Sequence, residues 1–284
     1  SNLDKVLYPA VGFTKAQVID YYARIAPTAL AHLGDRGLTL RRFPNGVDGQ
    51  SFYEKRCPGH RPDWVRTAPG PGDSGGPIGY CVLDSVAAIV WAANLAALEL
   101  HAPMARAVDP DRPTMVVFDL DPGEPAGVRE CCEVALDIRE VLDAVDLQAF
   151  AKTSGSKGLQ LYVPLNTEHT HEHAGEFARA VAQLLERRNP KRITSEMTKS
   201  LRPGKVFIDW SQNSRHKTTI GVYSLRARPE PTVSTPVGWD EVEQGADGEH
   251  ASGLRFLTGD VLERVGRLGD LFAGAATLEQ RLPG

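Results

Sequence analysis

Residues 114–123, Thr-Met-Val-Val-Phe-Asp-Leu-Asp-Pro-Gly, set the strongest limit on what this chain can fold into. The apolar run, rich in β-branched and aromatic residues, predicts a buried strand, and Pro122 and Gly123 end it. Side chains two apart on a strand share a face, so Asp119 and Asp121 stand side by side at its exit. Two like charges at the rim of a core are unfavourable without a cation between them, and a divalent ion suits oxygen ligands. An Asp before Pro-Gly is also an ordinary turn opener, and Asp121 alone fits that reading. A third carboxylate favours the metal: Val206, Phe207, Ile208 and Asp209 form a second short apolar run ending in an acid. Three carboxylates on neighbouring strand ends are what a two-metal nucleotidyl-transfer centre needs.

The formal net charge of −4 argues against a broad basic surface but leaves room for a local basic patch. With 284 residues, no internal repeat and no strong linker, residues 1–284 are read as a single α/β catalytic domain. Cys57, Cys81, Cys131 and Cys132 show no framework spacing, which predicts reduced thiols in an intracellular protein. Cys57 and His60 lack the second half of a zinc site. The sequence has neither an apolar run of about 18 residues nor a signal-peptide pattern, which predicts a cytoplasmic protein with no membrane partner.

Along the chain, an irregular lead-in carries Lys5. Thr14 to Gln17 read as a capping box, opening a helix with Val18, Tyr22, Ile25, Ala29 and Leu33 on one face and Gly34 as its stop. Lys15 falls in the first turn, where free N–H groups would draw an anion to it; a solvated lysine is the plainer reading. The strand at 37–43 leads to a turn-rich segment and then to Ser51, Phe52, Tyr53, Glu54, Lys55 and Arg56. Alternation sends one of Phe52 and Tyr53 inward and exposes the other. An exposed ring amid Arg41, Arg42, Lys55 and Arg56 suits base stacking; two core aromatics fit the spacing equally. Residues 66–79, rich in Gly and Pro, read as a surface loop. Asp84 is expected to cap a helix running to about Leu100, which places His101 at a helix C-terminus.

After the Asp119 strand, residues 127–145 form an amphipathic helix. A strand over Ala149 to Lys152 leads into Thr153, Ser154, Gly155, Ser156, Lys157 and Gly158. This loop lacks P-loop spacing, but its N–H groups and Lys157 suit phosphate as well as they suit a plain hairpin turn. A returning strand, 159–165, precedes an amphipathic helix over 169–188. Arg202 and Lys205 lie in a basic turn before the Asp209 strand, and Arg215 and Lys217 follow it. Residues 222–228 read as a strand carrying Arg226 and Arg228 on one side, and a short helix follows from Gly259. Lys157, Arg202, Lys205, Arg215, Lys217, Arg226 and Arg228 thus give a local basic density suited to a metal-bound triphosphate.

These motifs carry a resemblance. Val117 to Asp121, Ser154 to Gly158 and Phe207 to Trp210 look like the three motifs of the archaeo-eukaryotic primase superfamily. The chain is most similar to the polymerase domain of bacterial ligase D and its stand-alone primase-polymerase relatives. Asp4 to Pro9, Arg42 to Val47, Arg61 to Val65 and Glu99 to His101 extend the likeness over nearly the whole chain. The resemblance implies an α/β (α+β) primase-polymerase fold, with a central, mostly antiparallel sheet bearing an RRM-like element flanked by helices. It implies template-dependent nucleotidyl transfer at gaps and double-strand breaks, preferentially of ribonucleotides, in end joining or gap filling. Asp119, Asp121 and Asp209 would be the catalytic ligands of two ions, Mn2+ or Mg2+. His101, Ser154, Lys157, Arg202, Gln212 and Arg226 would hold an NTP or dNTP. Lys5 and Lys15 would grip a 5′-phosphate of gapped or broken DNA, while Arg41, Phe52 and Tyr53 would meet DNA. Ku and a separate DNA ligase would be partners, and the protein would be nucleoid-associated. Many members of the family have His where this chain has Gln160, which cannot titrate near neutrality. Two other readings are a catalytically silent DNA-end-binding module and a haloacid-dehalogenase-type phosphatase with Asp119 as nucleophile. The second is disfavoured by Gly123, where its motif wants Thr or Val.

Overall fold

The structure is a computed structural model that describes residues 2–72, 76–248 and 251–283. The chain divides into two compact units, each assembled from separated segments. The first unit holds residues 1–110, 218–235 and 256–270; the second holds 111–217, 236–255 and 271–284.

In the first unit, Val6–Tyr8 pairs with Phe13–Thr14, replacing the irregular lead-in expected from sequence. The predicted capping box forms: Thr14 Oγ1 accepts from Gln17 N at 3.4 Å, and Gln17 Oε1 accepts from Thr14 N at 2.8 Å. Helix Lys15–Leu33 buries Val18, Tyr21, Tyr22, Ile25, Ala26, Ala29 and Leu33. Each large apolar side chain so buried contributes roughly 1.5–3 kcal/mol. A four-stranded antiparallel sheet runs in the order Thr219–Ile220, Ala97–Ala102, Thr39–Arg42, Phe52–Glu54.

Several expectations fail in this unit. The long apolar segment after Asp84 is a helix, Val86–Asn94, capped by Ser85, followed by the buried strand Ala97–Ala102. Ala96, at φ 56°, makes the break; an apolar run with no Gly or Pro cannot by periodicity reveal where helix gives way to strand. His101 therefore sits on a strand, opposite Thr39 and Ile220. The Gly- and Pro-rich stretch is an antiparallel ribbon, Arg66–Pro71 with Pro77–Val82, its tip (73–75) lying outside the described residues. Prolines suit such a ribbon because a two-stranded pair has only edges. Residues 222–228 are no strand: Tyr223 has φ 64°, and Leu225 pairs with Val233 as an isolated bridge. Cys57 and Cys81 form a disulfide with Cα atoms 4.9 Å apart. That corrects the expected set of four thiols; the bond ties the segment after Phe52–Glu54 to the strand Pro77–Val82, a pairing that the cysteine spacing does not signal.

The second unit is built on a six-stranded sheet ordered Ile193–Thr194, Val206–Asp209, Met115–Pro122, Leu159–Pro164, Phe150–Thr153, Pro236–Val237. Every adjacent pair is antiparallel except Ile193–Thr194 with Val206–Asp209. Helix Val128–Asp143 follows the central strand, and helix His171–Arg188 follows Leu159–Pro164. The chain thus runs strand, helix, strand, strand, helix, strand, with the four main strands in spatial order 4-1-3-2. This is the expected RRM-like element. Alternation along Met115–Pro122 puts Val116, Phe118 and Leu120, all fully buried, on one face and Val117, Asp119 and Asp121 on the other. No helix among the described residues is long and apolar enough to cross a membrane.

Candidate active site

Strand register brings the acids of the second unit together. Asp119 is the direct cross-strand partner of Asp209, and Asp121 lies two residues further along the same strand. Cross-strand partners and i, i+2 neighbours share one face, so all three carboxylates stand on one side of the sheet. Burial, then the charge of Asp121, push the Asp119 carboxyl up to about 7; Asp209 pushes the same way, while a hydrogen bond from Gln160 and the charge of Lys152 oppose. A carboxyl crowded by two others fits a cation. Among the described residues, no three His, Cys, Asp or Glu side chains are already gathered as a metal site. Asp209 is engaged nearby: Oδ1 accepts from Ser211 N at 3.0 Å and Ser211 Oγ at 2.6 Å, and Oδ2 accepts from Gln212 Nε2 at 2.8 Å. Gln212 thus touches a proposed ligand directly.

Asn213 locks this turn in place. Its Oδ1 accepts from Val117 N, and its Nδ2 donates to Val117 O and Trp210 O, each at 2.8 Å. It completes hydrogen bonds of the central strand just ahead of Asp119; nothing in the sequence around it signals that role.

Two glycines let backbones close around the acids. A Cβ at Gly158 would sit 2.0 Å from Leu120 O, and one at Gly123 would sit 2.1 Å from Arg202 O. The loop before Gly158 is tied by Ser154, whose Oγ accepts from Gly158 N at 3.1 Å and Ser156 N at 3.3 Å. Lys157, on this exposed loop, pairs with Glu124 at 2.6 Å. The Arg202 guanidinium stacks over Phe207, 3.8 Å from the ring centroid, and donates to Met197 O at 2.9 Å.

The first unit carries its own cluster, centred on Glu99. This carboxylate is 2 % exposed in its side chain, with His101 Nε2 at 3.0 Å, Arg41 Nη1 at 3.3 Å and Arg226 Nε at 3.4 Å. Ala227 N donates to it at 3.1 Å. Burial alone would raise the Glu99 carboxyl, but the hydrogen bond from His101, the Arg226 charge and Ala227 N together hold it at about 2. Burial lowers His101 below its ordinary value against the pull of Glu99. Sequence reasoning missed Glu99 as an organising group; the alternation of Leu98, Glu99, Leu100 and His101 was the available signal once the segment is read as a strand.

Phe52 and Tyr53 are both exposed, by 45 % and 57 %, which corrects the expectation that one turns inward. They lie on the edge strand, and each ring rests on an arginine: Arg42 over Phe52 and Arg41 over Tyr53, both at 5.2 Å. Tyr53 also meets the His101 ring edge-on at 5.5 Å.

Lys5 and Lys15 are joined at the first hairpin, where Lys15 N donates to Lys5 O at 2.8 Å. The N–H groups of the helix's first turn are not open to an anion as expected. Lys15 N, Ala16 N and Gln17 N bond Lys5 O, Leu3 O and Thr14 Oγ1. The two ammonium groups are what the site offers. Burial, then the charge of Lys5, lower Lys15 from its ordinary value; an anion reverses such a shift.

The description "LigD, primase-polymerase domain" matches residues 14–272 of the chain. A multifunctional non-homologous end joining protein LigD of Mycolicibacterium smegmatis is 46 % identical over 276 residues, which are 96 % of this chain and 35 % of the relative. LigD of Pseudomonas aeruginosa is 31 % identical over 283 residues, 99 % of this chain and 33 % of the relative. The chain therefore spans about a third of the length of these relatives. Among solved structures, the polymerase domain of Mycobacterium tuberculosis ligase D in complex with DNA matches with a TM-score of 0.91 and 43 % identity, covering 97 % of this chain and 96 % of that one. With residues 14–272 matched and the fold shared at this level, the chain belongs to the LigD primase-polymerase domain family, a family of nucleotidyltransferases.

Proposed function

We propose that this chain is a template-dependent polymerase that extends a primer across gaps and breaks in DNA, as the polymerase part of an end-joining system. The observation that carries the reading is the register of Asp119 against Asp209, with Asp121 two residues along on the same face. The family description spans both units, which supports treating 1–284 as one catalytic domain.

Asp119, Asp121 and Asp209 would hold two divalent ions, Mn2+ or Mg2+. Ions bound there would lower the pKa of a primer 3′-hydroxyl and stabilise the charge of the leaving pyrophosphate. The chain's own residues do the rest. In the second unit, Ser154 fixes the loop that presents Lys157, and Lys157 and Arg202 would supply positive charge to nucleotide phosphates. Gln212 holds Asp209 and is proposed as a further nucleotide contact. In the first unit, Glu99 holds His101 and Arg226, both proposed nucleotide contacts, in fixed positions. Lys5 and Lys15 would bind the 5′-phosphate, and Arg41, Phe52 and Tyr53 would offer stacking surface to bases. Ribonucleotide preference, cooperation with Ku and a separate ligase, and action in the cytoplasm at the nucleoid belong to this same proposal.

The test is extension of a primer across a short 5′-phosphorylated gap in Mn2+, with rNTP and dNTP side by side. Asp119→Ala and Asp209→Ala should each abolish extension and leave DNA binding in place. Extension near the parent rate by either variant would remove the metal assignment. A parent chain that binds DNA ends but extends no primer would make it an end-binding module.

A further inference from the structure

Four neighbouring strands of the second unit share one row of polar side chains. Lys152 is the register partner of Gln160, Gln160 of Asp119, and Asp119 of Asp209. The row therefore runs ammonium, amide, carboxylate, carboxylate along a single face. Its cationic end is deeply buried, with Lys152 1 % exposed, and a lysine is almost never so buried unless paired. Lys152 Nζ donates to Gln160 Oε1, the Tyr162 hydroxyl donates to the same oxygen at 3.2 Å, and the ammonium lies 5.4 Å from the Tyr162 ring centroid. A lysine can only donate, so the Gln160 oxygen must face Lys152 and its NH2 must face the other way, toward Asp119. Gln160 indeed hydrogen-bonds the Asp119 carboxylate. An amide polarised at oxygen by a cation is a stronger donor through nitrogen.

We propose that Lys152 is a positioning residue for the cation site, acting through Gln160 to orient the Asp119 carboxylate for a divalent ion. This rests on the metal reading above. If Lys152 served only to fill the core and satisfy Tyr162, an uncharged side chain of equal length would leave Asp119 indifferent. If the row is a relay, removing the charge or the amide weakens the ion's ligand without touching it.

The experiment measures Mn2+ binding to the whole chain without DNA or nucleotide, by titration calorimetry and by the electron paramagnetic resonance signal of free Mn2+. The parent should bind, and Asp119→Asn should lose that binding. Lys152→Met, with unchanged circular dichroism, should raise the Mn2+ Kd about tenfold, the size typical of a lost partner behind a metal ligand. Gln160→Leu should match it, and the double variant should be no weaker than the weaker single. Should Lys152→Met fail to fold, Lys152→Gln, which keeps a donor without the charge, takes its place. A folded Lys152 variant with parental affinity overturns the relay and leaves the metal reading standing. Single effects that multiply in the double variant also overturn it. A parent that binds no Mn2+ removes the metal reading and the relay together.

Discussion

Asp119 is where the sequence signal, the geometry and the electrostatics of the second unit converge. Its folded-state carboxyl, raised to about 7 by burial and then by its acidic neighbours, lies above the unfolded value. Such a group stabilises the ion-free fold while protonated, fully at low pH, and that contribution is lost as pH rises through about 7. A cation needs the carboxylate, so binding must expel a proton wherever Asp119 still holds one. We predict that Mn2+ affinity falls about tenfold between pH 8 and pH 6 through this single linkage. Calorimetry in buffers of different ionisation enthalpy should count close to one proton released at pH 6 and few at pH 8. Affinity that is flat across this range would place the ion on groups other than Asp119.

At the scale of elements, the glycine loop meets the central strand backbone to backbone at Gly158. Gly158 faces Leu120 O with no room for a Cβ, and a carbonyl in a paired strand cannot move aside. Gly158→Ala should therefore destabilise the second unit by about 3 kcal/mol, in the range of a severe steric substitution, and should disable extension with it. Gly175, in helix His171–Arg188 with nothing within 4 Å of an added Cβ, is the control. Gly175→Ala should leave the melting temperature equal or higher. Equal melting of both variants would reject the close-approach argument. Residues such as these also show what was legible in sequence. The Asp119 strand, the helix from Lys15 and the Ser154 loop were readable because pattern and terminators lie within a few residues of each other. The pairing of Asp119 with Asp209 was suggested by composition of the two strands, but its register is a long-range fact. Glu99 was hidden because Ala96 turns the chain with φ 56°, a conformation for which alanine gives no warning. Lys152 was readable as strand and not as partner, since only the register with Gln160 gives it a role.

Across the whole molecule, two properties test how far local arguments extend. The Cys57–Cys81 bond closes a segment with a sequence separation of 24, and removing it should cost the first unit about 3 kcal/mol. Melting with and without reductant checks this, and an unchanged transition would show that the bond does not restrain the unfolded chain. The second property is charge. With a net charge of −4, this chain can bind DNA only where a few cations are concentrated. If Lys5, Lys15 and Arg41 are those cations, about three phosphate neutralisations give a slope of log K against log salt near −3. Replacing Lys5 and Lys15 together by alanine should bring the slope to about −1. Anisotropy of a labelled, 5′-phosphorylated gapped duplex over a potassium chloride series measures both slopes. A parent slope of about −6 or steeper would require a further basic surface, because three side chains cannot release that many counterions. A slope untouched by the double substitution would move the phosphate grip away from the first hairpin, where burial and then the charge of Lys5 lower the proton affinity of Lys15, a shift that a bound anion reverses.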